Sequence, residues 1–280
     1  MARSERTQWA RLDIDGVTLL ADLAAGLSLA RVLDFHGPQL RCFGATAASS
    51  VPLEVDAFNG RVIRGASCNC SVLTLTPHAN GTHTESVGHL TVERVDVQGL
   101  IPQRLLLAVL LTVEPELAAD SIEGTLPRAQ DADRLITRAG LEQAWPASPS
   151  PRLTARAAVV RTQPNGRQKF TEQSSGAAPF LSAEAVTALV ERGVEHLVLD
   201  VPSADRASDG GALTAHRIFF GLPAGSTQLA QAQRPDCTIT ELAYIADAIP
   251  DGWYLLALHA PAIAGEAVPS RPMLYPLRAA

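Results

Sequence analysis

The stretch FLSAEAVTALVERGVEHLVLDVPSAD, residues 180–205, constrains the fold more than any other part of the chain. Ser182 reads as an N-cap, Glu184 suits the positive end of the first turn, and Val186, Leu189 and Val190 recur at helical spacing. Arg192 and Gly193 close that helix, since glycine takes the left-handed cap at little cost. Val194 to Val201 is then β-rich and nearly continuous in apolar residues, as befits a strand covered on both faces. A helix feeding an interior strand points to a layered α/β architecture.

The rest of the chain agrees with that class without the strict alternation of a doubly wound sheet. RLLLAVLLTV (104–113) follows Pro102, and Val109, Thr112 and Val113 favour a buried strand over a helix. GRVIRGASCNCSVLTLT (60–76) reads as one or two strands with a glycine break. WPASPSPR (145–152) is linker-like, either dividing subdomains or crossing the surface of one domain spanning 1–280. No solenoid-type repeat is present.

Composition narrows the partners. A chain of 280 residues that is 46% hydrophobic can close a large core. Its net charge of -6, with no lysine or arginine run, argues against nucleic acid and against an anionic membrane, leaving a small molecule or a protein. The opening MARSERTQWARLDIDG lacks the apolar core of a secretory signal, so a cytoplasmic chain is expected. The apolar run from Val17 to Leu33 is broken by Asp22 and Arg31 and makes a poor membrane span. Cys42, Cys68, Cys70 and Cys237 are too few for a disulfide framework and are read as mostly buried small side chains.

The densest chemistry lies in HANGTHTESVGH, residues 78–89, which holds three of the seven histidines and a glutamate. In an extended segment His83 and Glu85 project from one face and can share an ion, and His89 can reach the same cavity. Gly81 permits close backbone approach, and the Thr82 hydroxyl can orient an imidazole. On spacing alone, a polar surface loop accounts for the segment equally well.

Resemblance favours the metal site. NGTHTESVGH resembles the His-x-Gly-Thr-His-x-Asp-x-x-x-His signature of the cyclase family of metal-dependent hydrolases, which includes bacterial kynurenine formamidase. ERGVEHLVLDVPSAD (191–205) resembles the family's helix end, buried strand and Asp-x-x-Ser-x-Asp turn, and AHRIFFGLP and CTITELAYI resemble its later segments. The resemblance runs from about Leu20 to about Leu258 and marks a divergent member. It implies a layered β/β/α swivelling-domain architecture, a homo-oligomer, one or two Zn2+ or Mn2+ ions, and hydrolysis of a small amide, cyclic amide or lactone. It also implies that His83, Glu85, His216 and Glu241 are metal ligands and that His89 is the catalytic acid/base.

Three departures bear on that reading. Ala79 occupies the place of the signature's first histidine; His78 lies one residue further out, where a strand slip turns a side chain to the other face unless a bulge returns it. Val87 stands in place of a proline, and AGSTQLAQAQRPD (224–236) lengthens the path from His216 to Glu241. The alternative is therefore a member of the fold that binds a small molecule or protein without catalysis.

Other constellations read as structural. Cys68 and Cys70 pack in a strand more naturally than they bind zinc, and GLSLA (26–30) lacks the second glycine that a nucleophilic Ser28 would require. Asp200 and Asp205 brace the turn after the interior strand or support a ligand. His196 suits a hydrogen-bonded core position, His36 a loop and His259 a structural role, and no phosphate-loop motif appears.

Overall fold

A computed structural model describes residues 8–166, 169 and 177–280. The reading of the opening segment rests in part on residues 1–7, which lie outside the described residues. Four parallel strands, Leu106–Val113, Ala157–Thr162, His196–Leu199 and Thr238–Glu241, lie side by side in that order within a sheet of eleven strands among the described residues. His83–Glu85 and Ala267–Pro269 extend it antiparallel beyond Thr238–Glu241. On the other flank, Gly252–His259, Arg271–Ala279, Val17–Asp22 and Trp9–Ile14 continue antiparallel.

The middle stretches of the first three of these strands are apolar because both faces are covered. Val109, Leu111, Ala158, Val160, Leu197 and Leu199 pack with Val186, Leu189, Phe219 and Phe220 of two helices. Their neighbours Ala108, Leu110, Ala157, Val159 and Val198 point the opposite way and meet Leu29, Ile245, Ile249 and Leu274. The class is α/β, as the helix–strand unit implied.

That unit forms largely as read. The helix is Ala183–Glu191; Ser182 Oγ accepts from the Ala185 amide at 2.9 Å, and Gly193 takes φ +77°. The strand is shorter than 194–201, because the Val194 amide still bonds back to Leu189 O at 3.1 Å as the helix closes. Within 60–76 there is one strand, Ser71–Thr74, paired with Ser49–Pro52 and preceded by a turn that ends at Gly65. Segment 145–152 crosses the surface, where Trp253 Nε1 donates to Ala147 O at 2.9 Å.

The cysteine reading needs correction, while the readings of Ser28, His196 and His36 agree with the structure. Cys68 is exposed in a bend ahead of the strand, so it is not packed within one; Cys42 and Cys237 are the buried thiols. Asp200 reaches across to the neighbouring strand. It is fully buried and accepts from the Thr162 amide at 2.9 Å, the Thr162 hydroxyl at 2.9 Å and Lys169 Nζ at 2.8 Å, tying together two strand ends. Ser28 lies in the two-residue strand Leu27–Ser28 with no helix after it, which removes the elbow geometry. His196 bonds Thr238 Oγ1 at 2.9 Å in the core, and His36 and His259 are exposed. Among the described residues no helix is long and apolar enough to cross a membrane.

Candidate metal centre

The site forms at the end of the sheet where His83–Glu85 is held between two neighbours. Antiparallel register sets His83 opposite Glu241 and Glu85 opposite Ala267. Residues directly opposite share a face, and His83 Nε2 stands 3.6 Å from Glu241 Oε2. Thr84 points the other way, with its hydroxyl 2.7 Å from Thr240 Oγ1 and 2.8 Å from Ser270 Oγ. Leu242, directly after Glu241, holds φ +55°, a left-handed strain of the kind that collects at functional sites.

His78 reaches the site by a route the strand rule did not anticipate. Pro77–Asn80 is a helical turn, braced by the Thr76 amide on Asn80 Oδ1 at 2.7 Å and by Asn80 Nδ2 on Thr46 O at 3.0 Å. The two-residue alternation that would turn His78 away therefore does not apply, and its Nδ1 lies 3.0 Å from Glu85 Oε2. Ala79 points instead into an apolar cluster with Leu40, Cys42 and Leu242. Thr82 also departs from expectation: its hydroxyl donates to Leu242 O at 2.7 Å rather than orienting an imidazole.

The other histidines have separate supports. His216 lies on the helix Thr214–Phe220, whose first turn Asp205 caps by accepting from the Ala215 and His216 amides at 2.7 and 3.1 Å. The same carboxylate accepts from His216 Nδ1 at 2.6 Å, so of the two roles considered for Asp205 the structure favours support of His216. His89 ends the turn Val87–His89, where Ser86 Oγ accepts from the Gly88 amide at 3.1 Å. A side chain at Gly88 would meet Val95 O at 2.8 Å, which explains glycine there.

The donors converge. His216 Nε2 stands 2.7 Å from Glu85 Oε1 but off the hydrogen-bond direction; these two atoms, His83 Nε2 and Glu85 Oε2 are all buried without a hydrogen-bond partner. Such atoms are costly to bury unless something else satisfies them. Two overlapping donor sets, His78–His83–Glu85 and Glu85–His216–Glu241, each span no more than 4.8 Å and share Glu85. A third set, His78–His89–Glu266, lies beside them. Imidazole nitrogens and carboxylate oxygens are the donors that zinc and manganese accept.

The electrostatics follow from carboxylates crowded in a dry site. Burial would lower His78, but its hydrogen bond to Glu266 and the nearby charge of Glu85 outweigh that and raise it to about 10. His216 is raised well above the usual range against its burial, by the charge of Glu85 and the bond to Asp205. Glu85 is held well below its ordinary value against its own burial, chiefly by His216, whereas burial and the charge of Glu85 push Glu241 up. Burial lowers His83 to about 4 and also lowers His89. The cluster thus demands positive charge, which two protonated histidines or a cation can supply.

A cavity of about 200 Å³ opens onto these groups, lined in part by Phe43, His78, His89, Leu213, His216 and Glu241. Glu266 escaped the sequence reading because it lies 188 residues from His78 and belongs to no local motif. Only the pairing of Ala267–Pro269 with His83–Glu85 brings it to the site.

Comparison with known proteins agrees with this geometry. A family model described as "Putative cyclase" matches residues 22–206, which include His78, His83, Glu85, His89 and Asp205. The chain belongs to the cyclase family. His216, Glu241 and Glu266 lie beyond the matched segment. A protein from Bacillus stearothermophilus described as a predicted metal-dependent hydrolase is similar over 89% of this chain and 97% of its own, at 13% identity and a TM-score of 0.53. A potential metal-dependent hydrolase with cyclase activity is similar over 89% and 96%, at 12% identity and 0.57. Isatin hydrolase A from Labrenzia aggregata, bound to benzyl benzoate, is similar over 89% and 93%, at 15% identity and 0.56. At these identities the likeness shows the shared fold, in line with the cyclase-like architecture expected from the sequence. No curated protein matches the sequence.

Proposed function

We propose that this cyclase-family chain is a divalent-metal-dependent hydrolase of a small amide, cyclic amide or lactone, an arylformamidase-like activity on carbon–nitrogen bonds. The observation that carries the reading is the set of buried donor atoms without hydrogen-bond partners, His83 Nε2, Glu85 Oε1 and Oε2, and His216 Nε2, aimed at common points. His83, Glu85, His216 and Glu241, with His78, would hold one or two Zn2+ or Mn2+ ions. A bound divalent ion supplies Lewis-acid polarisation of the scissile carbonyl and makes water more acidic.

The chain's own residues do the rest. His89 lines the cavity with its pKa lowered by burial, so near neutral pH its ring is free to accept a proton from water and pass it to the leaving nitrogen or oxygen. Phe43 and Leu213 give the cavity apolar surface against which a substrate can pack. The small cavity suits a small substrate, and the likeness to isatin hydrolase supports a cyclic amide.

The test combines metal content with turnover on a panel of N-formyl amides, cyclic amides and lactones. Protein purified without a histidine tag or chelator should carry one or two divalent ions per chain. His83→Ala should lose metal; His89→Ala should keep metal and fold while losing about 100- to 10,000-fold in kcat. Unchanged turnover in both variants would refute the assignment. A second reading, a non-catalytic binding module, draws on Ala79, which is turned into apolar packing where the signature carries a histidine. A protein that takes up neither zinc nor manganese would favour it.

A further inference from the structure

We propose that Glu266 is the positioning carboxylate that turns His78 into a metal ligand, the pair together standing in for the histidine absent at position 79. This rests on the metal-dependent reading above and adds to it a residue that the sequence pattern does not contain.

The argument begins with ring nitrogens. A histidine that binds a metal through one nitrogen commonly donates its other N–H to a fixed acceptor, which sets both tautomer and ring orientation. His83 approaches Gly81 O with Nδ1 at 3.0 Å and leaves Nε2 facing the site. His216 approaches Asp205 with Nδ1 at 2.6 Å and likewise leaves Nε2 facing the site. His78 repeats the arrangement with its nitrogens exchanged. Its Nε2 meets Glu266 Oε1 and Oε2 at 3.1 and 3.2 Å, while Nδ1 lies 3.0 Å from Glu85 Oε2. Glu85 Oε2 has no hydrogen-bond partner, so Nδ1 faces the carboxylate that the set His78–His83–Glu85 shares with the set holding His216.

The chain places Glu266 firmly. Its carbonyl accepts from the Ser86 amide at 2.9 Å, directly after the His83–Glu85 strand, and the following Ala267 pairs with Glu85. Its carboxylate also stands 3.8 Å from His89 Nδ1, and the His78 and His89 ring centroids are 4.3 Å apart, so one side chain lies beside both histidines. His78 itself is only partly buried and comes from a short helical turn; its ring lies against those of His83 and His89, and Glu266 is the acceptor that fixes which nitrogen faces inward.

A double-mutant cycle on zinc affinity tests this, read by competition with a chromogenic chelator. Glu266→Ala should weaken zinc binding by about 10- to 100-fold. Glu266→Gln should recover much of that loss, because its amide oxygen can accept the same N–H. His78→Ala should also weaken zinc, and adding Glu266→Ala to it should change nothing further. The visible spectrum of the cobalt-substituted protein should shift in Glu266→Ala but be insensitive to that change once His78 is gone. Glu266 is partly exposed, so these variants should melt with wild-type protein in excess chelator. Wild-type affinity in Glu266→Ala, or the same loss with and without His78, would overturn the inference while leaving the hydrolase reading intact. A wild-type chain that binds neither zinc nor manganese would instead remove the hydrolase reading, and this inference with it.

Discussion

Lowering the pH should destabilise this protein through His196, a residue outside the metal site. Its ring is 5% exposed, bonded to Thr238 Oγ1 at 2.9 Å on the interior strand. Burial, helped by the positive charges of Arg156 and Arg104, lowers its pKa to about 4. An unfolded histidine titrates near 6.5, so between those values the unfolded chain binds a proton that the folded chain refuses. The stabilisation is therefore complete above about pH 6.5 and is lost as the pH falls through about 4. A gap of roughly 2.5 pH units corresponds to at most about 3 kcal/mol, of which about 2 to 3 kcal/mol should be gone by roughly pH 4.5. Urea unfolding at several pH values, with chelator present, measures it against His196→Asn, which cannot take up the proton. Other titrating groups cancel in the difference, so the wild type should lose that amount relative to the variant on acidification. Parallel stability curves would refute the argument.

Other consequences are more direct. Asp205→Ala removes both the cap of the Thr214–Phe220 helix and the acceptor for His216 Nδ1, so zinc affinity measured by chelator competition should fall about 10- to 100-fold. The same variant should lose about 1 kcal/mol of stability in urea, measured with chelator present. Gly88→Ala forces a Cβ against Val95 O at 2.8 Å and should cost about 1 to 3 kcal/mol in thermal or urea unfolding. Ser28→Ala should leave turnover unchanged, and a serine-directed phosphonate should not label the wild type, because Ser28 lies outside the strand–turn–helix context that activates such a serine.

Local signals carried much of the fold. Ser182, the Val186–Leu189–Val190 spacing and Gly193 specify a helix whose ends need no distant partner, and the apolar run after it can only be an interior strand. Leu106–Val113 was legible because Pro102 and the β-branched Val109, Thr112 and Val113 weigh towards a strand, where an apolar run alone suits a buried helix as well. Within the site, the pairing of His83 with Glu85 followed from strand periodicity alone. Cys68 and Cys70 misled because alternation in CNCSV looks like a strand, while the chain there bends before the strand begins.

What the sequence determined by itself, then, was whatever depends on neighbours a few positions away: the helix caps, the apolar strands and the two donors that share a face. The tertiary structure decided how those donors are completed. His78 depends on a helical turn braced by Asn80 on the distant Thr46 carbonyl, and Glu241 depends on its register opposite His83. Glu266 depends on the strand Ala267–Pro269 lying against His83–Glu85. The pairing of strands far apart in the chain is set by the packing of the whole sheet, and a shift of one residue would turn Glu241 to the opposite face.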